Sequence, residues 1–363
     1  MIVNRREFLE ALGAIVGTVP ARSPNPIAQA VRVTTAKGLT ATVRTFGPDA
    51  RGSAAFNADG PIDVAVDARK LYEVVRADES VTLRLTAKGE RLEVAGDSGR
   101  FSLFTLSVGD CPPEPKMDSD ASANGVLPTL RAVSEFCAKE MSRYAIAGVL
   151  VELRDNRDDA WAVATDGRAL AAFRISDPLY TGGGVVSRIV PEALIRHAGA
   201  LGDEACISVS ATSAALAGEA CSVTGPLVEG AFPPWRDILP KRDEATTTIV
   251  VNAETLLSAV RRAKLATSEE SRGVLFDLAD GTLTLSARCE GSEASVGCAV
   301  VSIVGERTTR IKLSPVYVEK AVRALGAEKV AVYVKSHKSA VEFAPEGSED
   351  RRVVIMPISL EVA

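Results

Sequence analysis

Residues 3–17 read VNRREFLEALGAIVG, and residues 251–267 read VNAETLLSAVRRAKLAT. Both space their apolar residues as an amphipathic helix does; in the first, Phe8, Leu12, Ile15 and Val16 share one face. Residues 127–140, LPTLRAVSEFCAKE, are a third segment of this kind. A second set follows the same pattern: VDARKLYEVVRA (66–77), VPEALIRHAGALG (190–202) and LSPVYVEKAVRALG (313–326). Each helix is followed by short strands before the pattern restarts. A repeat of this length is read before any local motif because it decides the architecture: repeated units can close into a ring, and a ring works by shape.

The strand segments support the same division. AGVLVELRDNRDDAWAVATDG (147–167) and RGVLFDLADGTLTLSARCEG (272–291) are each a strand, a polar turn and a strand that ends in acid and glycine. Residues 81–106, 205–230 and 330–358 alternate polar and apolar positions, broken by Gly, Asp or Ser, as hairpins do. Such alternation suits sheets with one exposed face and helices on the other. Two stretches lack periodicity and read as linkers: 110–125, DCPPEPKMDSDASANG, and 232–246, FPPWRDILPKRDEAT. The expected fold is α+β, with three repeated domains at 1–120, 121–243 and 244–363, each built from two helix-plus-antiparallel-sheet modules.

Composition narrows the function. The chain has 363 residues and a formal charge of −5, which argues against bulk nucleic-acid binding by net charge but leaves room for a basic face. Six cysteines form no C-x-x-C pair, and only His197 and His337 could assist a metal, so the expectation is reduced, mostly buried thiols and no zinc site. Arg5-Arg6-Glu7-Phe8-Leu9 imitates a twin-arginine export signal. Glu7 and Glu10, together with the shared apolar face, instead predict a docked helix in a cytoplasmic protein. No stretch is long and apolar enough to span a membrane. No acid–base pair, Ser-His or Cys-His set, or phosphate-cradling glycine loop accompanies Asp166-Gly167, so an enzyme is not expected.

Basic residues recur in or beside the six helices: Arg5, Arg6, Arg69, Lys70, Arg76, Arg131, Lys139, Arg196, Arg261, Arg262, Lys264, Lys320 and Arg323. Singly each reads as a solvated position. Together, on one side, they would attract phosphates through diffuse, salt-sensitive contacts that carry no base information.

Five collinear fragments then carry a family resemblance. They are GRFSLFTLSVGDCPPEP (99–115), ATDGRALA (164–171), EGAFPPWRDILP (229–240), SEESRGVLFDLADGTLTLSA (268–287) and VVIMPISL (353–360). The whole chain resembles the bacterial DNA polymerase III β subunit, the sliding clamp. The resemblance implies three copies of one domain per chain and a head-to-tail homodimer closed into a ring, helices inside and sheets outside. It further implies that the ring encircles double-stranded DNA without regard to sequence, is opened by a clamp loader, and tethers the polymerase III alpha subunit and other proteins bearing a clamp-binding motif. Neither a cofactor nor a catalytic residue is implied.

Carried over by motif position, the partner-peptide pocket would comprise Ile146, Thr165, Gly167, Arg168, Leu170, Pro233, Ile238, Tyr317, Val354, Met356, Pro357 and Ile358. Read without the resemblance, these residues suit plain core packing. DNA contacts would come from Arg22, in VPARSPNP, and Lys139. The chain departs from the family pattern at Arg168, Ala169, Asp237 and Lys338, and it runs on through Glu361-Val362-Ala363 past the usual terminal leucine. These departures motivate a second reading, a specialised clamp-like ring serving repair, plasmid replication or resistance with altered partner binding.

Overall fold

The computed structural model describes residues 1–363 except 36–38, 98, 115–116, 118, 140–144, 155–159, 176–184, 269–272 and 361–363. The extension Glu361-Val362-Ala363 therefore lies outside the described residues. Among the described residues are seven α-helices: α1 (Arg5–Val16), α2 (Ala68–Ala77), α3 (Leu127–Ser134), α4 (Glu192–His197), α5 (Trp235–Ile238), α6 (Ala253–Lys264) and α7 (Pro315–Leu325). Six occupy the six repeated segments. The α5 turn lies in a stretch expected to be a linker, where Pro233 and Pro234 restrict the backbone ahead of it and Trp235 is buried.

Local chemistry sets the helix ends. Asn4 accepts from the amides of Arg6 and Glu7, and Asn252 from those of Glu254 and Thr255, so α1 and α6 start in the same way. Arg261, Arg262 and Lys264 in the last turn of α6 complement its exposed carbonyls. α3 stops earlier than its apolar spacing suggests. Phe136 N bonds Val133 O and Cys137 N bonds Ser134 O, a tighter turn in which Phe136 is buried. α4 gives way to a 3₁₀ turn at Ala198–Ala200, where one Arg131 nitrogen donates to the carbonyls of Ala198, Gly199 and Leu201.

The chain forms two compact units. Unit 1 holds residues 1–131, 152–160 and 176–229. Its twelve-stranded sheet runs in the order Ile2–Asn4, Thr82–Lys88, Arg91–Ala95, Arg100–Leu106, Asp63–Asp67, Ala30–Thr35, Thr40–Thr45, Arg51–Asp59, Cys221–Pro226, Ser213–Ala217, Cys206–Val209, Ala121–Ala123. Ile2–Asn4 pairs with both Thr82–Lys88 and Arg51–Asp59, so the first eight strands close on themselves. Phe8, Leu12 and Ile15 of α1 join Leu71 and Val75 of α2 in one core with Val31, Val33, Val43, Leu83, Leu85 and Val94. Each such side chain contributes about 1.5–3 kcal/mol by leaving water. The twin-arginine look-alike is thus part of a docked helix, and Arg5 Nε donates to Ser80 O at 3.1 Å.

Unit 2 holds residues 132–151, 161–175 and 230–363. Strands Trp161–Thr165, Ala169–Arg174, Arg351–Ile355, Val341–Pro345, Lys329–Val334, Thr247–Asn252 and Val300–Gly305 lie side by side in that order. A separate four-stranded sheet runs Ser292–Cys298, Thr282–Cys289, Val274–Ala279, Thr309–Leu313. Its Asp280-Gly281 turn has positive φ at both residues, 49° and 85°, as a two-residue hairpin of this sequence requires.

Within unit 1, Arg51–Asp59 bonds directly to Cys221–Pro226. Two sequence expectations are amended. The end of the first expected linker, Ala121–Ala123, is an edge strand on Cys206–Val209, too short to show a period. Of the six free cysteines only Cys298 is buried, its thiol pushed up to about 11 by burial; the other five are half-exposed rather than buried. No helix among the described residues is long and apolar enough to cross a membrane.

Candidate functional site

The residues assigned to the peptide pocket all fall in unit 2, and Thr165, Leu170, Tyr317, Val354 and Met356 meet at or beside one turn, Asp166-Gly167-Arg168. This turn links Trp161–Thr165 to Ala169–Arg174, and Gly167 sits at φ 85°, which a side chain would strain. Asp166 Oδ1 accepts from the amides of Arg168 and Ala169 at 2.9 and 3.0 Å. The Thr165 hydroxyl donates to Ala169 O at 2.8 Å and accepts from Gly167 N at 3.0 Å. A Thr-Asp-Gly sequence thus supplies its own turn. The polar requirements of the loop are met internally, and its apolar neighbours are left to form a surface.

Register places Thr165 opposite Leu170 and Leu170 opposite Val354, so these three share one sheet face. All three are buried, as is Ile146. Met356 N donates to Arg168 O at 2.9 Å, and Ile358 N to Lys312 O at 2.8 Å. These bonds lead the chain past the turn with Met356 exposed and Pro357 and Ile358 half-buried. From α7, the Tyr317 hydroxyl donates to Asp166 Oδ2 at 2.5 Å. Burial, and then this bond and the Asp166 charge, push the Tyr317 phenol up to about 12, with Arg168 pulling the other way.

The segment 233–245 packs on the same face. Trp235 stacks on Trp161 at 5.5 Å between ring centroids, with Arg236 4.1 Å above the Trp235 ring. Glu342 is fully buried and bridges Arg242 and Arg352. Arg352 also donates to Pro240 O and Arg242 to Ser348 O. This pinning leaves Pro233 half-buried and Ile238 exposed. Gly167, Arg168, Asp237 and Lys338 are exposed as well. This face thus combines buried apolar residues, a turn whose polar groups are met internally, and the exposed side chains of Met356 and Ile238.

Arg22 lies in unit 1, in a loop after α1 that Gln29 holds by donating to Pro20 O and Ala21 O. Lys139 lies in unit 2. Both are exposed. Several other cations read as a collective phosphate surface have partners: Arg69 donates to Val19 O, Lys320 to Glu135 O, and Arg261, Lys264 and Arg323 converge on Glu319. Sequence reasoning missed Asp166 as an organiser of the turn, and it missed the Arg242–Glu342–Arg352 cluster. It also missed an apolar surface on Arg100–Leu106, where Phe104 is 68% exposed under Arg91, and Leu265 after α6, 83% exposed. Unusual exposure carries no local sequence signal.

Comparison with known proteins agrees with this geometry. Residues 1–116 match the DNA polymerase III beta subunit, N-terminal domain, and residues 236–359 match its C-terminal domain. This chain belongs to the DNA polymerase III beta subunit family. Beta sliding clamps from Proteus mirabilis and Escherichia coli K12 are each 26% identical to it, over 99% of both chains. A crystal structure of the Pseudomonas aeruginosa sliding clamp bound to griselimycin superposes with a TM-score of 0.90 at 21% identity, covering 99% of each chain. The Bacillus subtilis sliding clamp gives 0.89 at 16% identity, covering 99% of this chain and 98% of that one. The chain therefore has the sliding-clamp fold, an α+β architecture rich in strands.

Proposed function

We propose that this chain is a DNA sliding clamp: two copies close head to tail into a ring around duplex DNA and hold the replicative polymerase on its template. The observation that carries this reading is the end-to-end match to beta sliding clamps, joined to an ordered turn and apolar floor where a partner peptide would dock. The ring acts through topology. A tethered polymerase rebinds at high effective concentration instead of escaping. The clamp itself makes and breaks no bond, and it works in the cytoplasm.

Three domains, 1–120, 121–243 and 244–363, supply the repeat. Ile146, Thr165, Gly167, Arg168, Leu170, Pro233, Ile238, Tyr317, Val354, Met356, Pro357 and Ile358 receive peptide segments of the polymerase alpha subunit, the clamp loader and other partners. Arg22 and Lys139 meet DNA phosphates. The exposed Phe104 surface and Leu265 supply apolar area for the contact between copies. The relatives found are beta sliding clamps, so the reading as a specialised second ring is not favoured.

The test is retention on DNA. The protein is expected to run as a dimer, to stay on nicked circular DNA once loaded, and to slide off when the circle is cut. Arg22→Ala should weaken retention in a salt-dependent way and leave the dimer intact. A monomer that behaves alike on both DNAs would sink the reading.

A further inference from the structure

In unit 1, strands Thr40–Thr45, Arg51–Asp59 and Cys221–Pro226 carry a polar patch on one face. Arg44 pairs with Ser53, Ser53 with Ser222, and Arg51 with Thr224. Directly paired residues point to the same side, and so do residues two apart, so two guanidinium groups and three hydroxyls converge. Phe46, Pro112 and Pro113 complete a cleft of about 60 Å³.

The charges in this cleft are not closed internally. Arg44 Nε is buried without a hydrogen-bond partner. The same guanidinium reaches Glu114 at 3.4 Å, and the Glu114 side chain is 68% exposed. The Arg51 side chain makes no hydrogen bond or ion pair among the described residues. On the neighbouring strand Arg32 is closed by Asp63, with two bonds of 2.7 and 2.8 Å, so the Asp63 carboxylate is already engaged. A buried donor without an acceptor is costly, and an oxyanion relieves it. The planar fork of arginine matches phosphoryl oxygens in particular. The opposite side of the cleft is apolar and suits a ring or carbon skeleton.

We propose that this cleft binds a small phosphate ester, its phosphoryl group held by Arg44, Arg51 and the hydroxyls, its organic part against Phe46 and the two prolines. The inference rests on unit 1 alone and stands whether or not the chain encircles DNA. Calorimetric titration of the full chain with AMP, adenosine and inorganic phosphate tests it. AMP should saturate one site per chain, adenosine should give no saturation over the same range, and inorganic phosphate should bind more weakly than AMP. Arg51→Ala should weaken AMP at least tenfold, and Ser222→Ala should weaken it severalfold, with unchanged circular dichroism and unchanged retention on circular DNA. Absence of AMP binding to folded wild type, equal AMP affinity in Arg51→Ala, or AMP binding no tighter than phosphate would each overturn the proposal.

Discussion

Two sheet faces of this molecule carry paired arginines, and they use them in opposite ways. In unit 2, Arg242 and Arg352 flank a fully buried Glu342 and also donate to the carbonyls of Ser348 and Pro240; Arg242 Nη2 makes no hydrogen bond but lies 2.7 Å from the Glu342 carboxylate. In unit 1, among the described residues, Arg44 keeps a buried nitrogen without an acceptor, and Arg51 is unengaged beside it. The first cluster is closed. Its two guanidinium groups converge on one buried carboxylate and fix the segment proposed as one side of the peptide surface. The second is open, with donor capacity left for something from outside. The residue type is the same, and the difference lies in whether a buried carboxylate has been brought to it.

Substitutions can break or sharpen this contrast. The largest effect is expected at Glu342→Gln, which keeps the shape and removes the charge between two arginines. Breaking a buried ion cluster from one side costs about 3–5 kcal/mol. Urea unfolding should show a correspondingly lower midpoint, and a loss below about 1 kcal/mol would mean that the cluster is not closed in the sense argued.

Asp166→Ala comes next. It removes the acceptor for two turn amides and for Tyr317, a loss of about 1–3 kcal/mol. A partner peptide should bind more weakly to it by fluorescence anisotropy. Tyr317→Phe removes the third bond together with the titration of a phenol that burial raises first and this bond second. The phenol is raised from 10.0 to about 12, so its contribution is whole below about pH 10 and disappears as pH rises through about 12. Wild type should lose stability across that window, and Tyr317→Phe should lose less; matching alkaline profiles would show that the bond does not matter. The smallest effect is expected at Arg51→Ala, whose stability should stay within about 0.5 kcal/mol of wild type. A large loss there would show that Arg51 has a structural partner and would erase the contrast between the two faces.

Much of the architecture was legible from local pattern. All six repeated segments are helices, and the Asp-Gly turn at 280–281 has the expected backbone. Legibility failed where the deciding partner is distant or the element is too short for a period. α3 ends early because Phe136 turns into the core, and Ala121–Ala123 becomes a strand only because Cys206–Val209 lies beside it. For the proposed peptide surface, motif position did not say which residues would be buried and which exposed. Leu170 and Val354 are buried, whereas Met356 and Ile238 remain exposed.

The sequence by itself determined the repeated helix-and-sheet modules, the turn at Asp166-Gly167 and the family, because apolar spacing and turn chemistry act over a few residues. Only the tertiary structure decided which charges are spent and which are free. Arg242 meets Glu342 across 100 positions, and Tyr317 meets Asp166 across 151. Separations of that size are closed by folding the whole unit, and no local pattern records them.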